Sequence, residues 1–292
     1  MKAVKSNSLV IFCLLFLAFF TLFIGCTEKK YITIVQPDEP ETRVLWVPDD
    51  YQTIQGAINA SRDGDTVRVR DGIFAEGIDL LQKRIWLESE NGPEFTIINA
   101  ETKVSGITVF GGQDSTLMIR GFTVMNAIYY GIWTYFGCGG KFCNNIIIRS
   151  GYANWEAKTN YCIFINNVLA DNAADRYNVD VYYSYGRFEN NLLVRSGRCA
   201  LWNYCLDDNP LIPEYNLIWL YDNLTNSGAT GPGFRFADNN LIDIDPMLSD
   251  TLFHLLPLSP CINAGNPALL DPDFSRSDIG AYGGPYAYTS SP

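Results

Sequence analysis

One histidine, His254, serves the whole chain, and no two cysteines stand as a Cys-x-x-Cys pair. The usual Cys/His zinc spacings are therefore excluded. Charge is scarce and one-sided: 21 Lys and Arg against 32 Asp and Glu leave a net −11. That balance argues against nucleic acid and against an anionic membrane surface as partners. Long amphipathic stretches are also missing over most of the chain, so a helical fold is excluded. What is present is a recurring phrase. Phe122-Thr123-Val124, Asn145-Ile146-Ile147, Asn167-Val168-Leu169, Asn191-Leu192-Leu193, Asn216-Leu217-Ile218 and Asn240-Leu241-Ile242 follow one another at spacings of 23, 22, 24, 25 and 24 residues. A fixed period in the low twenties, with short β-branched runs and Asn or Gly at the joints, predicts a solenoid of short strands, a parallel β-helix.

The first 25 residues read as a lipoprotein signal peptide. Lys2 and Lys5 precede the apolar run Leu9–Ile24, and Leu22-Phe23-Ile24-Gly25-Cys26 resembles a bacterial lipoprotein cleavage box. The resemblance implies cleavage before Cys26, lipidation of that cysteine and export to a membrane-anchored position, at the outer membrane or cell surface. Several acyl chains on one residue anchor stably where one does not. An uncleaved N-terminal membrane helix is the alternative. Residues 26–43 then form the lipidated cysteine and a tether, and 44–287 the solenoid, expected as a monomer. Outside the signal and lipid positions the cysteines are Cys138, Cys143, Cys162, Cys199, Cys205 and Cys261. Cys138 and Cys162 stand one coil apart, so they either bridge or stack as buried thiols.

Near the start of the solenoid, Asp49 or Asp50 is placed to cap a short helix over 51–60, with Ile54, Ala57 and Ile58 on one face. Such a helix covers the open apolar end of the stack. After it come Gly64-Asp65-Thr66-Val67, a turn to Gly72-Ile73-Phe74, and Lys83-Arg84-Ile85-Trp86-Leu87. This opening resembles the pectate-lyase-like, right-handed parallel β-helix superfamily. The closing run Asp245-Pro246-Met247-Leu248, Ser259-Pro260-Cys261-Ile262-Asn263-Ala264-Gly265 and 271–285 resembles the strap of exported bacterial β-helix repeat proteins. The fold implied is all-β: a right-handed parallel β-helix, a single-stranded solenoid of about seven to eight coils. A capping helix closes its N-terminal end and a strap its C-terminal end. The superfamily mixes lyases, hydrolases, esterases and non-enzymes, so fold leaves activity open.

The stacked Asn residues are read as structural, since Asn tolerates left-handed corners and can bond to its counterpart one coil away. A strand ahead of each Asn turn carries the candidate site. If Ile132, Val179, Val181 and Leu201 face the core, alternation sends Trp133, Tyr135, Trp155, Asp180, Tyr182, Trp202 and Tyr204 outward. That would be an aromatic strip suited to the apolar faces of sugar rings. A register slip of one residue would place those rings in the core and turn Glu156 and Asn203 outward. For catalysis, a uronan lyase would use Lys158 as base, with Asp180, Glu156, Asp207 or Asp208 holding Ca²⁺. A hydrolase would pair Glu156 with Asp180. The chain departs from the family's enzymes: it has no Asn-Thr-Asp or Gly-His-Gly run like the polygalacturonases. Nor does it have a Gly-x-Val-Asp-Phe-Ile-Phe-Gly run like the pectin methylesterases, or a dense Asp cluster like the classical lyases. Asp271, Asp273 and Asp278 read either as a short Ca²⁺ loop or as caps of their own turns. The expectation is a polysaccharide-binding protein, the polymer including uronic acids as one class. A polysaccharide lyase and a surface scaffold or adhesin are the alternatives.

Overall fold

The computed structural model describes residues 42–158, 161–172, 177–182, 185–195, 199–203, 211–219, 223–226 and 236–289. Tyr182, Cys199, Asn203 and 223–226 are described by backbone alone. Each coil lays one strand on each of three parallel sheets. The first face runs from Val44–Val47 through Gly139–Cys143 and Tyr161–Ile165 to Arg187–Glu189. The second includes Thr123–Met125, Ile146–Ile148, Val168–Ala170, Leu192–Val194 and Leu217–Trp219. The third includes Ser105–Phe110, Tyr130–Tyr135, Ala153–Lys158, Tyr177–Tyr182 and Cys199–Asn203. The all-β parallel solenoid is thus the observed fold. A first-face strand stands between each third-face strand and the following Asn turn, an element the sequence reading passed over.

The Asn corner joins the first face to the second, and its two positions divide the work. The first residue, Asn144, Asn166, Asn190 or Tyr215, holds the left-handed backbone at φ 55 to 56. The second forms the ladder. Asn167 Oδ1 accepts from the Asn145 backbone N–H at 3.0 Å and from Asn145 Nδ2 at 3.1 Å. Asn167 Nδ2 in turn donates to Phe142 O at 2.8 Å and to Asn191 Oδ1 at 3.0 Å. The pattern continues through Asn216 to Asn240. Asn145, Asn167, Asn191 and Asn216 are fully buried. A buried amide is tolerable only when satisfied, and here each fixes the register of the next coil.

Inside the stack, Phe142, Phe164 and Phe188 align. Trp155 lies parallel to Phe164 at 3.8 Å and donates its indole N–H to Thr134 Oγ1 at 3.0 Å. It is 1% exposed. This corrects the expectation that Trp155 faces outward. Asn154 also turns inward, donating to Ala170 O and to Asn178 Oδ1 at 2.9 Å. Alternation resumes one residue later than the sequence suggests, and Glu156 takes the outward position.

The N-terminal end is closed as expected, with one shift. The helix spans Ile54–Ala60 and its N-cap is Thr53, whose Oγ1 accepts from Gly56 N–H at 3.0 Å. Glu76 accepts from the Ile54 and Gln55 N–H groups, so neither Asp49 nor Asp50 is needed there. Asp65, buried, accepts from the backbone of Arg43 and Arg62 and pairs with the Arg43 guanidinium at 2.5 Å. The strap covers the outer side of the second face. Phe253, Cys261, Ile279 and Ala281 pack on Ile146, Ile148, Val168, Leu192 and Leu217. That cover explains why those strands are apolar on both sides. The first Asn column holds the strap in place: Asn144 Nδ2 donates to Ala281 O and Gly283 O, and Asn166 Nδ2 to Asp278 O. Cys138 and Cys162 stack as buried free thiols with their sulfurs 3.7 Å apart.

Replacing Asn167 by Ala strands several buried backbone groups, and should lower stability by about 2–4 kcal/mol, read as a shift in urea midpoint. Trp155→Ala should cost about 3–5 kcal/mol in the same assay, the toll of emptying a packed core position; an effect below ~1 kcal/mol would return that ring to the surface.

Candidate functional site

The third face carries a register that brings chemistry together. Its central outward row is Thr108, Trp133, Glu156, Asp180 and Trp202, each paired with the next across adjacent strands. Beside it run Phe110, Tyr135, Lys158 and Tyr182. Adjacent strands in a sheet are ~4.8 Å apart, so Glu156 and Asp180 sit about that far from each other at the backbone.

Although the row faces outward, its carboxylates are covered. Glu156 is 1% exposed and Asp180 0%. The cover is aromatic and continuous. Tyr152 contacts Tyr130 at 5.7 Å and Tyr177 at 5.8 Å, and Tyr177 reaches Trp202 at 4.8 Å. On the other flank Tyr130 stacks on Trp133 at 5.3 Å, and Trp133 on Tyr135 at 4.4 Å and 12°. Of the residues expected in the strip, Trp133 and Tyr135 are outward and half-buried, whereas Trp202 faces outward but is buried under this roof. Trp155 belongs to the core. Tyr182 is placed by backbone alone, and Tyr204, Asp207 and Asp208 lie outside the described residues, as does Cys26.

Charge within the site is asymmetric. Lys158 Nζ meets Glu156 Oε1 at 2.6 Å. The Tyr130 hydroxyl stands beside Glu156 and the Tyr152 hydroxyl beside Asp180, but neither makes a well-aligned hydrogen bond to Glu156 Oε2 or the Asp180 oxygens. Burial, and then the neighbouring Glu156 charge, push Asp180 up to about 7; Lys158 and the nearby Tyr152 hydroxyl only partly offset the rise. The same burial, with Glu156 beside it, raises the Tyr130 phenol. The physical picture is two stacked carboxyls of which one keeps its proton near neutrality, as like charges in a desolvated site require. A protonated acid beside a Lys-paired carboxylate is a donor and acceptor within one reach.

The roof tyrosines Tyr130, Tyr152 and Tyr177 were not read from the sequence; they recur at 22 and 25 residues, near the coil period but out of step with the Asn turns. Elsewhere, Asp271 accepts from the Asp278 and Gly284 backbones, Asp273 from Ser275, and Asp278 from Asn263 N–H at 2.7 Å. Those carboxylates cap the strap's turns, and among the described residues no three His, Cys, Asp or Glu gather to hold a metal. His254 joins the strap to the solenoid, with Nε2 2.7 Å from Glu94 Oε1 and Nδ1 2.7 Å from Asp250 Oδ2. Its raised pKa comes from those two carboxylates, which outweigh burial.

No family profile and no curated protein match the chain. Three solved structures are similar in shape. Pectin methylesterase from carrot matches at TM-score 0.39 and 13% identity over 65% of this chain, and the match spans 65% of that enzyme's length. A pectin methylesterase in complex with a hexasaccharide matches at TM-score 0.41 and 11% identity, over 72% of this chain and 94% of that one. The enzyme from Yersinia enterocolitica matches at TM-score 0.39 and 10% identity, over 66% and 94%. Likenesses this distant carry no argument about activity, and the site stands on its own residues.

Because Asp180 holds its proton to about 7 in the folded chain but only to ~3.9 when unfolded, the folded state binds the extra proton between those values. Stability attributable to this group should therefore fall as pH rises from 4 to 7. Asp180→Asn should flatten that slope and stabilise the protein at pH 8 relative to wild type, with the difference vanishing below pH 4. Equal pH dependence in the two proteins would place the carboxyl in solvent.

Proposed function

We propose that the third face binds a polysaccharide, on a protein exported and tethered through lipid on Cys26. The observation that carries this reading is the unbroken chain of ring contacts from Phe136 and Phe110 through Tyr135, Trp133, Tyr130, Tyr152 and Tyr177 to Trp202. Contiguous aromatic surface on one side of a rigid sheet, with carboxyls and an ammonium set among the rings, matches the mixed apolar and polar character of sugars. The solenoid adds length, since successive coils repeat the surface along the axis.

A second reading is favoured by one specific feature, the neighbouring Glu156 and Asp180. Adjacent-coil spacing is close to the ~5–5.5 Å separation of retaining glycosidases, in which one carboxyl is acid and the other nucleophile. Asp180, protonated to about 7, would be the acid, and Glu156, paired with Lys158, the nucleophile. Substrate reaches them only if the tyrosine roof swings aside. Lyase chemistry would first require Lys158 to leave Glu156.

Incubation with a panel of neutral and uronic-acid polysaccharides, followed by affinity electrophoresis, should show retardation on at least one polymer. Tyr135→Ala should weaken it about tenfold, equivalent to ~1.4 kcal/mol. Retardation without new reducing ends or unsaturated product is the expected result. New reducing ends abolished by Asp180→Asn would establish the hydrolytic reading, and ultraviolet-absorbing product abolished by Lys158→Ala a lyase. No retardation and no product on any polymer would end the glycan reading and leave the protein-contact scaffold.

A further inference from the structure

The rings along the centre of the strip mostly cover one another. Tyr130, Trp133 and Tyr135 lie face on face, and Trp202 is buried against Tyr177. The faces a sugar would need at Trp133 and Trp202 are already occupied, whereas Tyr135 also borders Phe110 on its side away from that column. At the N-terminal end of the same strip the situation reverses. Phe110 meets Tyr135 edge-on at 4.6 Å and Phe136 at 5.3 Å, and Phe136 is 69% exposed. Next to these rings the surface opens into a cavity of about 340 Å³, lined by Asp79, Leu81, Gln82, Phe110 and Tyr135. That volume is at the small end of ligand sites.

The wall opposite the rings is a fixed polar edge. Leu81 and Gln82 both hold left-handed backbone, φ 51 and 61, a conformation rare for side chains of that size. Asp79 stabilises it by accepting from Leu81 N–H at 2.8 Å, and the turn closes through Lys83 N–H to Leu80 O at 2.9 Å. Asp79 and Gln82 are both exposed. No hydrogen bond engages the Gln82 side-chain amide among the described residues. The adjacent cations point elsewhere. Lys83 Nζ donates to Ile58 O, Asn59 O and Ser61 O at the end of the capping helix, and Arg84 pairs with Asp63.

We propose that this cavity, rather than the tryptophan column, seats a pyranose ring of a neutral glycan; this rests on the glycan reading above. Phe110 and Tyr135 supply the apolar floor. The Asp79 carboxylate accepts from sugar hydroxyls, and the Gln82 amide both donates and accepts. The charge of the pocket selects the ligand class. Asp79 is the only charged group among the described residues that line it. Farther along the strip, Lys158 is already engaged by Glu156. A uronate would meet a carboxylate with no cation to offset it, a like-charge contact that costs affinity. Neutral hydroxyls meet no such barrier.

Calorimetric titration of the protein with neutral hexasaccharides (β-1,4-glucan, -mannan and -xylan) and with hexagalacturonate tests this. A neutral ligand should bind, and hexagalacturonate more weakly by at least tenfold. Phe110→Ala and Gln82→Ala should each weaken the neutral ligand about tenfold, while Ile73→Ala, on the far second face, should not change it. Gln82 lies on the surface, so its variant keeps the test valid if Phe110→Ala fails to fold. Affinity retained in Gln82→Ala and Asp79→Asn but lost in Trp133→Ala would overturn the cavity while leaving the glycan reading intact. Tighter binding of hexagalacturonate than of any neutral ligand would overturn the neutral class. Absence of binding by the wild type to all four would remove both.

Discussion

A buried side-chain amide with no partner is costly, and this protein stacks one in every central coil along a single line. Each of these Asn side chains bonds both the backbone and the amide of its neighbour, so no coil can slide relative to the next without leaving several buried polar groups unmet. This constraint reaches the opposite side of the molecule. The third face inherits its register from the corner, and that register sets Trp133 below Glu156, Glu156 below Asp180 and Asp180 below Trp202. The asparagine corner, together with the site's own strand ladder, therefore holds the site.

The fold was legible because its main determinants are local and periodic. The Asn-aliphatic phrase, the Gly64-Asp65-Thr66-Val67 strand and the strap's Cys261 to Gly265 run all occupy positions that the structure uses as the sequence suggests. The site was legible only in outline. Trp133, Tyr135 and Asp180 follow the expected alternation, but Asn154 and Trp155 both turn inward, Asn154 bonding to Ala170 and Asn178 and Trp155 standing opposite the core positions Ile132 and Val179. From that point Trp155 enters the core and Glu156 the site. Pattern reading has no access to such a choice, because it depends on a hydrogen-bond partner one coil away. The roof escaped for a different reason: Tyr152 and Tyr177 lie at or before strand starts, where no alternation rule applies. The N-cap likewise fell to Thr53 because Glu76, distant in sequence, was available to the helix N–H groups.

Burial and function pull against each other at the carboxyl pair. Carboxylates sealed under tyrosines with unmet oxygens destabilise the fold, and stability threshold arguments tolerate that most readily at working sites. The same rings that desolvate Asp180 and raise its proton affinity also block its access. Opening the roof would return water to the pair and lower that affinity. Proton affinity and accessibility are therefore coupled through the burial the roof provides, while the Tyr152 hydroxyl itself works against the raised Asp180 proton affinity.

The strap has a consequence in time rather than in space. It is synthesised after the rungs it covers, which are laid down well before it. Until it arrives, Ile146, Ile148, Val168, Leu192 and Leu217 form a continuous apolar column on a finished sheet, and the first Asn column offers amides with nothing to bond. A half-made chain is therefore adhesive along one flank, open to another nascent copy or to a holding chaperone. Arrival of the strap converts that flank from a liability into a seam.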